Sequence, residues 1–321
     1  MSAKKVKILF IGGLGFIGVN FCLRFQDRFD ITIIDAQLEG TGYHEIHKGL
    51  LYNCKIYLGD YVKVNDLEAL VSEATHIFHF AGPGAHLAAE QNPLSDIDEN
   101  IIKTVFLLET IRKLPTKPKL IFASTRQVYG NVAEIPVDES AQINPIDING
   151  ISKYAAESYI MHYARVHQLQ TTTLRITNVY GPHMYITDAR LNFIGFWIGE
   201  TLRKKPIKIY DPQLVRDFIY IDDLTSFMGL LIKFDDWSPT YNLGNSTAVS
   251  FENLGMIFRE KFGADVVVEA YPEELRDIQL KAYTTNSALA RNDFGWECRI
   301  DLLEGLSLTF EACKMDFDNE A

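Results

Sequence analysis

The sequence predicts an α/β fold in which a doubly wound parallel sheet forms the larger part and a smaller C-terminal α/β unit completes the chain. Over the first 180 residues, short apolar runs rich in β-branched residues alternate with longer stretches of helical periodicity. A glycine-rich turn follows the first apolar run, as in folds that bind a nucleotide at a strand end. The 321 residues exceed the roughly 250 to 300 that one core usually serves, so we expect a second unit.

The elements of the larger unit are predicted from the spacing of its apolar residues. Helices are expected over residues 65–71, with Asn65 as N-cap, over 101–113 and over 150–167. Because parallel sheets of this kind bind ligands at the carboxyl ends of their strands, the residues after each strand are the candidates for a site. The predicted strands cover residues 6–11, 31–34, 55–58, 76–80, 119–123 and 171–176.

The glycines of residues 12–18 stand between the first strand and a helical pattern. Gly12 suits a tight turn, Gly15 lets the backbone approach a pyrophosphate, and Gly18 allows the helix to pack closely on the sheet. A diphosphate would rest on the N–H groups at the helix N-terminus, where the macrodipole favours an anion. A glycine-rich turn without a ligand is the alternative interpretation.

The identity of the predicted dinucleotide follows from Asp35. This residue ends the second apolar run, about 20 positions beyond the glycines, where a carboxylate accepts a hydrogen bond from a ribose 2′-hydroxyl. The same carboxylate would repel a 2′-phosphate, and residues 36–39 contain no arginine to accept one. The sequence therefore predicts NAD as the cofactor.

Composition narrows the range of partners. The net charge of −11 disfavours nucleic acid and anionic membrane surfaces as partners. The four cysteines are scattered without Cys-x-x-Cys spacing, so we expect reduced thiols in the cytoplasm and no metal site. The N-terminal lysines precede a strand and turn rather than a secretory signal, and no apolar run is long enough to cross a bilayer.

Besides the glycines of residues 12–18, several further motifs follow the predicted strands. They are Gly59-Asp60, His79-Phe80-Ala81-Gly82, Asn100, Ser124-Thr125-x-x-Val128-Tyr129-Gly130, Arg175-x-x-Asn178-x-Tyr180-Gly181-Pro182, residues 216–223, Tyr241-Asn242-Leu243-Gly244 and Phe294-Gly295-Trp296. Together these motifs resemble the extended short-chain dehydrogenases/reductases, whose best-known members are nucleotide-sugar epimerases and dehydratases. The resemblance covers nearly the whole chain.

The resemblance implies a Rossmann-type unit over residues 1–180, with a returning segment at about 215–245. Residues 181–214 and 246–321 would then bind the nucleotide sugar. A homodimer or higher homo-oligomer is also implied, built from the helices at 101–113 and 150–167. Ile151, Ala155 and Tyr159 form a stripe on the second of these, although such a stripe is equally typical of a core face.

The resemblance also implies site residues. Asp60 would lie near the adenine, Ala81 and Gly82 would line the cofactor diphosphate, and Asn178 and Arg216 would hold the diphosphate of a UDP- or GDP-linked sugar. For Arg216, a surface charge before a strand is the alternative. The implied cofactor contacts are Gly12, Gly15, Phe16, Ile17, Gly18, Asp35, Asp60, Tyr61, Ala81, Gly82, Asn100, Ser124 and Lys153. The implied substrate contacts are His86, Arg126, Asn178, Arg216 and Arg276.

The catalytic segment departs from the family pattern. These enzymes normally carry Tyr-x-x-x-Lys, with the tyrosine as acid and base, but here the segment has Asn149 and Lys153. An amide does not take a hydroxyl proton near neutral pH, and the loss of a positioned general base typically costs about 10²- to 10⁴-fold in rate. Asn149 is either an engineered replacement or a natural one, and in both cases it is a suitable N-cap for the following helix.

Other groups must then move the proton. Thr125 is a candidate to hydrogen-bond the reacting oxygen, and a water held by Asn149 and Lys153 is a candidate carrier, with the cofactor ribose as a variant. His86 is an alternative because imidazole titrates near neutral pH. His183 is a weaker one.

The residues after Thr125 bear on the reaction. Dehydratases of the family carry an Asp-Glu pair there, and the corresponding Arg126-Gln127 pair supplies neither acid nor base at neutral pH. Dehydration is therefore disfavoured, as is decarboxylation of the type that uses a glutamate. Oxidation of a ring hydroxyl, expected at C4, remains, in an epimerase or a dehydrogenase. A catalytically silent NAD-binding protein is the alternative. Arg126 either contacts substrate or is a solvated charge.

Overall fold

The computed structural model describes residues 6–36, 49–82, 86–188, 192–270 and 281–320. It confirms the α/β fold with a Rossmann-type sheet of seven strands. The strands of this sheet are β1 Lys7–Ile11, β2 Asp30–Asp35, β3 Lys55–Leu58, β4 His76–His79, β5 Lys119–Thr125, β6 Thr171–Ile176 and β11 Thr240–Leu243. The six remaining strands are β7 Asn178–Tyr180, β8 Ile207–Ile209, β9 Val215–Arg216, β10 Phe218–Tyr220, β12 Val249–Ser250 and β13 Val266–Val268.

The strand order is β11-β6-β5-β4-β1-β2-β3, and every neighbouring pair is parallel. The direction in which the chain adds strands reverses between β1 and β4. A crevice opens at such a switch point, beyond the carboxyl ends of the two strands, and this is where folds of this kind bind dinucleotides. The glycine-rich turn follows β1, and Ala81 follows β4, at this crevice.

Helices cover both faces of the sheet, so the strands are apolar on both sides. Ile8 and Phe10 of β1 belong to one core cluster, whereas Leu9 and Ile11 belong to the other. The helices are α1 Phe16–Phe25, α2 Leu67–Glu73, α3 His86–Gln91, α4 Pro93–Ile97, α5 Lys103–Arg112, α6 Ile148–His167, α7 Phe193–Leu202, α8 Ile221–Lys233, α9 Phe251–Phe262, α10 Ala288–Phe294 and α11 Leu302–Glu320.

Three helix starts differ from the predicted ones. The N-cap of α6 is Asp147, whose Oδ1 accepts a hydrogen bond from Gly150 N at 2.6 Å, so the interpretation of Asn149 as N-cap is wrong. Asn65 is likewise not the N-cap of α2, because Asp66 holds that position without a side-chain bond. A π-helical turn, Asp98–Ile102, precedes α5, where the sequence predicts one continuous helix.

The smaller strands lie outside the seven-stranded sheet. They form three pairs: β7 with β10, β9 with β12, and β8 with β13. Asp223 of α8 ties the later part of the chain to this region, since its carboxylate accepts hydrogen bonds from Arg299 N and Ile300 N, both at 3.1 Å. Within the described ranges, no helix is long and apolar enough to cross a membrane.

Candidate functional site

The glycine-rich turn packs backbone to backbone against Phe80 and Ala81, the two residues after β4. Gly12 has a φ of +85°, and a Cβ there would lie 2.6 Å from Ala81 N. A Cβ on Gly18 would lie 2.6 Å from Gly13 Cα, whereas one on Gly15 would meet only Gly12 O, at 3.4 Å. The first and third glycines are therefore needed for packing, and Gly15 leaves its backbone open to a close ligand.

Asp35 lies at the end of β2, directly beside this turn. Its Oδ2 accepts a hydrogen bond from Leu14 N at 2.9 Å, which fixes the carboxylate at the carboxyl edge of the sheet. Phe16 and Ile17 open α1 next to it. The structure thus brings the predicted diphosphate and ribose contacts to one place.

The predicted adenine contacts lie beyond β3. Asp60 caps a short 3₁₀ turn, Tyr61–Lys63, and its carboxylate forms an ion pair with Lys103 at 2.9 Å. The Tyr61 ring is buried against His79, with 5.5 Å between ring centroids. Lys103 therefore holds Asp60 in place, a contact that the sequence spacing does not reveal.

Gly82 brings three predicted cofactor contacts together. Its φ is +131°, and a Cβ there would lie 2.7 Å from Asn100 Oδ1 and 3.5 Å from Lys153 Nζ. Asn100 lies in the π-helical turn and donates from Nδ2 to Asp96 Oδ1 at 3.0 Å. The wider π turn thus places the Asn100 side chain beneath the loop that follows β4, in keeping with the frequent occurrence of such turns at functional sites.

Lys153 lies on α6 against the carboxyl end of β5. Its Nζ donates to Ala123 O at 3.1 Å and lies 5.0 Å from the centre of the Phe122 ring. In the part of the chain that the structure describes, no carboxylate forms an ion pair with it. Burial therefore lowers the pKa of Lys153 to about 8, while the negative charges of Asp96 and Glu157 oppose the shift.

Asn149 occupies the first turn of α6 and is 2% exposed. Its Nδ2 lies 3.4 Å from Oδ1 of Asp96, which is itself buried. Asp96 is a residue that the sequence analysis missed, although its position four residues before Asn100 on a helical segment is a signal that could have found it. Asp96 joins Asn100 and Asn149 into one buried polar group.

Thr125 ends β5 and caps the following 3₁₀ turn, Arg126–Tyr129. Its hydroxyl oxygen accepts from Gln127 N at 3.3 Å, and its hydroxyl donates to Gln127 Oε1 at 3.1 Å. Gln127 Nε2 in turn donates to Asp147 Oδ2 at 3.1 Å. Gln127 therefore connects Thr125 to the cap of α6, so that the two halves of the predicted catalytic segment are held together.

A buried ion pair lies behind this segment. Glu157 of α6 accepts from Arg175 Nη2 of β6 at 2.7 Å and also accepts from the Ser124 hydroxyl. Arg175 extends the network by donating to Tyr129 Oη at 2.8 Å. Ser124, implied as a cofactor contact, is thus bonded to Glu157. Glu157 was missed by the sequence analysis, because its role arises only when α6 packs on the sheet.

The predicted substrate contacts form a second group. Arg126 Nη2 donates to Asn178 Oδ1 at 3.2 Å, and Asn178 Nδ2 donates to Asp217 O at 2.8 Å. Arg216 is 3% exposed and donates to Val215 O at 2.8 Å. The interpretation of Arg216 as a surface charge is therefore wrong. The interpretation of Arg126 as a solvated charge is also wrong, because its Nη1 atom is buried.

Three further residues were predicted for the site, namely Arg276, His86 and His183. Arg276 lies outside the described residues, as does the His86 side chain, although His86 begins α3. His183 has a φ of +65°, and burial lowers its pKa. Among the described residues there is no group of three histidine, cysteine or acidic side chains that could hold a metal ion.

These observations fit a bound dinucleotide. Side chains at Gly12 and Gly82 would fill the space beside Ala81 and Asn100, and a carboxylate stands at the end of β2. The Asn100 Oδ1 atom is also buried without a hydrogen-bond partner among the described residues. Buried polar atoms in native proteins nearly always have a partner, so this atom indicates a ligand or an ordered water.

The sheet, the glycine turn and the lysine on α6 define a dinucleotide-binding α/β protein. More narrowly, the chain belongs to the NAD dependent epimerase/dehydratase family, whose model matches residues 8–244. This confirms both the resemblance and NAD as the cofactor.

Known proteins extend the likeness over nearly the whole chain. A putative UDP-glucose 4-epimerase of Methanocaldococcus jannaschii is 29% identical over 93% of this chain and 95% of its own. UDP-glucuronic acid decarboxylase 1 of Arabidopsis thaliana is 27% identical over 95% of this chain and 69% of its own. The crystal structure of the Thermotoga maritima UDP-glucose 4-epimerase with UDP-glucose superposes with a TM-score of 0.88, at 28% identity, over 97% of this chain and all of the other.

Proposed function

We propose that the protein is an NAD-dependent epimerase of a UDP-linked sugar, which oxidises a ring hydroxyl, at C4, and reduces the ketone again. The observation that carries the proposal is the position of Lys153, whose Nζ donates to Ala123 O near the end of β5 and would lie 3.5 Å from a Cβ on Gly82. Thr125 ends the same strand, and Asn149 lies one turn before Lys153 on α6. The UDP-sugar enzymes among the relatives support the choice of substrate.

We assign to Lys153 the role of accepting the proton of the reacting hydroxyl. With a pKa of about 8, roughly a tenth of its side chains are neutral at pH 7, and a neutral amine accepts a proton from a hydroxyl. The amide of Asn149 accepts a hydrogen bond but no proton. A bound NAD would supply reversible hydride transfer at the ring carbon that carries this hydroxyl. Thr125 hydrogen-bonds the reacting oxygen.

Gln127 supports epimerisation over dehydration. Its amide is bonded to Thr125 and Asp147, and it carries neither the acid nor the base that removal of water requires. The reduced ketone therefore leaves as one of two C4 epimers, without loss of water.

The experiment incubates the NAD-loaded protein with UDP-glucose, UDP-galactose and UDP-glucuronic acid, with chromatography of the products and absorbance at 340 nm. We expect interconversion of at least one C4 pair, and we expect Lys153→Met to abolish it. Lys113→Met, an exposed lysine at the end of α5, is the matched control. An absence of turnover and of cofactor reduction with every sugar would instead indicate a silent binding protein.

The variant Asn149→Tyr distinguishes between the two interpretations of Asn149, an engineered replacement of a catalytic tyrosine and a natural asparagine. If Asn149 replaced a catalytic tyrosine, the variant gains about 10²- to 10⁴-fold in rate. If Lys153 is the native proton carrier, the rate changes little, which is the result we expect.

We also propose that the protein forms a homodimer through α5 and α6. Phe106, Ile151 and Tyr159 on these helices are each between 45% and 53% exposed. Apolar side chains that remain this exposed on adjoining helices are typical of an interaction surface.

A further inference from the structure

Arg126 is one of the predicted substrate contacts of the candidate site. It follows Thr125 directly and opens the 3₁₀ turn at the carboxyl end of β5. Under the proposed function, Thr125 contacts the reacting hydroxyl of the sugar. The backbone of Arg126, the next residue along the chain, therefore borders the sugar, and its guanidinium reaches Asn178 at the start of β7.

The hydrogen-bonding capacity of Arg126 is only partly used. Nη2 donates to Asn178 Oδ1 at 3.2 Å, and the guanidinium carbon lies 5.5 Å from the centre of the Tyr283 ring. Nη1 is buried and has no hydrogen-bond partner within the described ranges. In those ranges no carboxylate forms an ion pair with Arg126 either.

Two carboxylates, Asp217 and Asp147, lie close enough for their charge to act on Arg126, but both accept hydrogen bonds from other groups. Asp217 accepts from Thr285 N at 3.0 Å and from the Thr177 hydroxyl. Asp147 caps α6 and accepts from Gln127 Nε2. Their charges favour the cation, while burial lowers the pKa of Arg126 from its ordinary value. An arginine remains charged even so, and a buried cation with an unused donor is unfavourable until an anion binds.

We propose that Arg126 binds a carboxylate on the sugar, so that the substrates of this enzyme are nucleotide-linked uronic acids. A planar guanidinium with a free edge matches a carboxylate, which it binds through parallel charge-assisted hydrogen bonds. The inference rests on the proposed function and specifies its substrate class. Stacking on Tyr283 and the bond to Asn178 fix the guanidinium plane before the ligand arrives.

The contact between Arg126 and the carboxylate also determines whether the carboxylate is kept or lost as CO₂. Oxidation at C4 of a uronic acid gives a β-keto acid, which loses CO₂ when the electron pair of the C5–C6 bond moves into an enolate. A cation bound to the carboxylate stabilises the charge before that movement and opposes it. We therefore expect Arg126 to retain the carboxylate. The hydroxyl proton goes to Lys153 and returns, and the product is the C4 epimer with unchanged mass.

Binding measurements on the NAD-loaded protein test the proposal. Isothermal titration compares UDP-glucuronic acid, UDP-glucose and UDP. We expect the native protein to bind UDP-glucuronic acid about ten to a hundred times more tightly than UDP-glucose. Arg126→Gln should remove this preference, because it should weaken UDP-glucuronic acid binding much more than UDP-glucose binding. Arg165→Gln, the same change at an exposed position on α6, should keep the preference.

The outcomes are distinguishable. Equal affinity of the native protein for the two sugars overturns the inference, and this comparison requires no variant to fold. Equal weakening of both sugars in Arg126→Gln also overturns it, because the arginine then binds the diphosphate. If no UDP compound binds, the proposed function fails and the inference fails with it. Mass spectrometry completes the test: a product lighter by CO₂ contradicts retention of the carboxylate.

Discussion

The charge balance around Lys153 is set by few residues. Its ammonium group contacts a backbone carbonyl and an aromatic ring, and the carboxylate of Asp96 acts on it from the other side of Asn149. Asp96 Oδ2 is buried without a partner in the part of the chain that the structure describes. A buried negative charge without close compensation acts strongly on its neighbours, because little water screens it.

Asp96→Asn should therefore change the titration of Lys153. An opposite charge favours the protonated amine and raises the pKa of Lys153, so its removal lowers the midpoint, by about one pH unit from the native value. The NMR signal of the Lys153 ε-carbon in ¹³C-lysine-labelled protein, assigned with Lys153→Met, measures this midpoint without any substrate.

Asp66→Asn is the control, since Asp66 is an exposed carboxylate before α2. It should leave the midpoint unchanged, and Asp96→Glu should restore most of the native value. A Lys153 midpoint that is the same in Asp96→Asn as in the native protein would show that Asp96 does not influence the site.

Individual residues of the candidate site were predictable where their spacing along the chain indicates their role. The glycines, Asp35, Thr125 and Lys153 are of this kind. The glycines, Asp35 and Thr125 lie at the carboxyl ends of strands, and Lys153 lies on α6 against the end of β5. The contact of Asp96 with Asn149 was not predictable, because it depends on the packing of α4 against α6. Burial, which removes the surface-charge interpretation of Arg216, is likewise a property of tertiary structure.

At the scale of elements, the first glycine turn and the loop after β4 act as one unit. Gly12 N donates to Ile34 O of β2 at 2.8 Å, so the turn is anchored to three neighbouring strands. A change at this turn moves the loop that carries Ala81 and Gly82. The NAD site should thus be more sensitive to the backbone of this turn than to most side chains around it.

Gly12→Ala should weaken NAD binding by at least about tenfold. The new Cβ would lie 2.6 Å from Ala81 N, and the φ of +85° is unfavourable for alanine by about 1 kcal/mol or more. Quenching of intrinsic fluorescence by NAD measures the affinity. Gly49→Ala is the control, because no atom lies within 4 Å of a Cβ there. Native affinity in Gly12→Ala would refute the close packing of the turn.

The strands were predicted more accurately than the helix starts. Residues 55–58 and 171–176 match β3 and β6, and the other four predicted strands differ at their ends by one or two residues. The start of α6 was misplaced by two residues, because Asp147 caps the helix ahead of Asn149. The π turn before α5 has no signature in the apolar spacing.

At the scale of the whole molecule, the proposed dimer can be tested directly. The double variant Phe106→Lys, Tyr159→Lys places two charges on the exposed face of α5 and α6 and should separate the protomers. Light scattering after size exclusion should give twice the chain mass of 36.5 kDa for the native protein and the single mass for the variant.

Met256→Lys is the matched control. Met256 is 48% exposed on α9, away from the proposed interface, so its variant should remain dimeric. A native protein that elutes at the mass of one chain at micromolar concentration would contradict the dimer.

The pairing of β11 with β6 has a consequence for how the protein is made. The sheet that holds the cofactor lacks its last strand until residue 243 has left the ribosome, more than 60 residues after β6. Translation at roughly 5 to 20 residues per second leaves the β6 edge unpaired for several seconds. Arg24 of α1 likewise has no access to its hydrogen-bond acceptor, Asp222 O at 2.9 Å in the folded protein, until that segment is synthesised. The nascent chain therefore completes this sheet late, and a chaperone would find both an open strand edge and an uncovered helix during that interval.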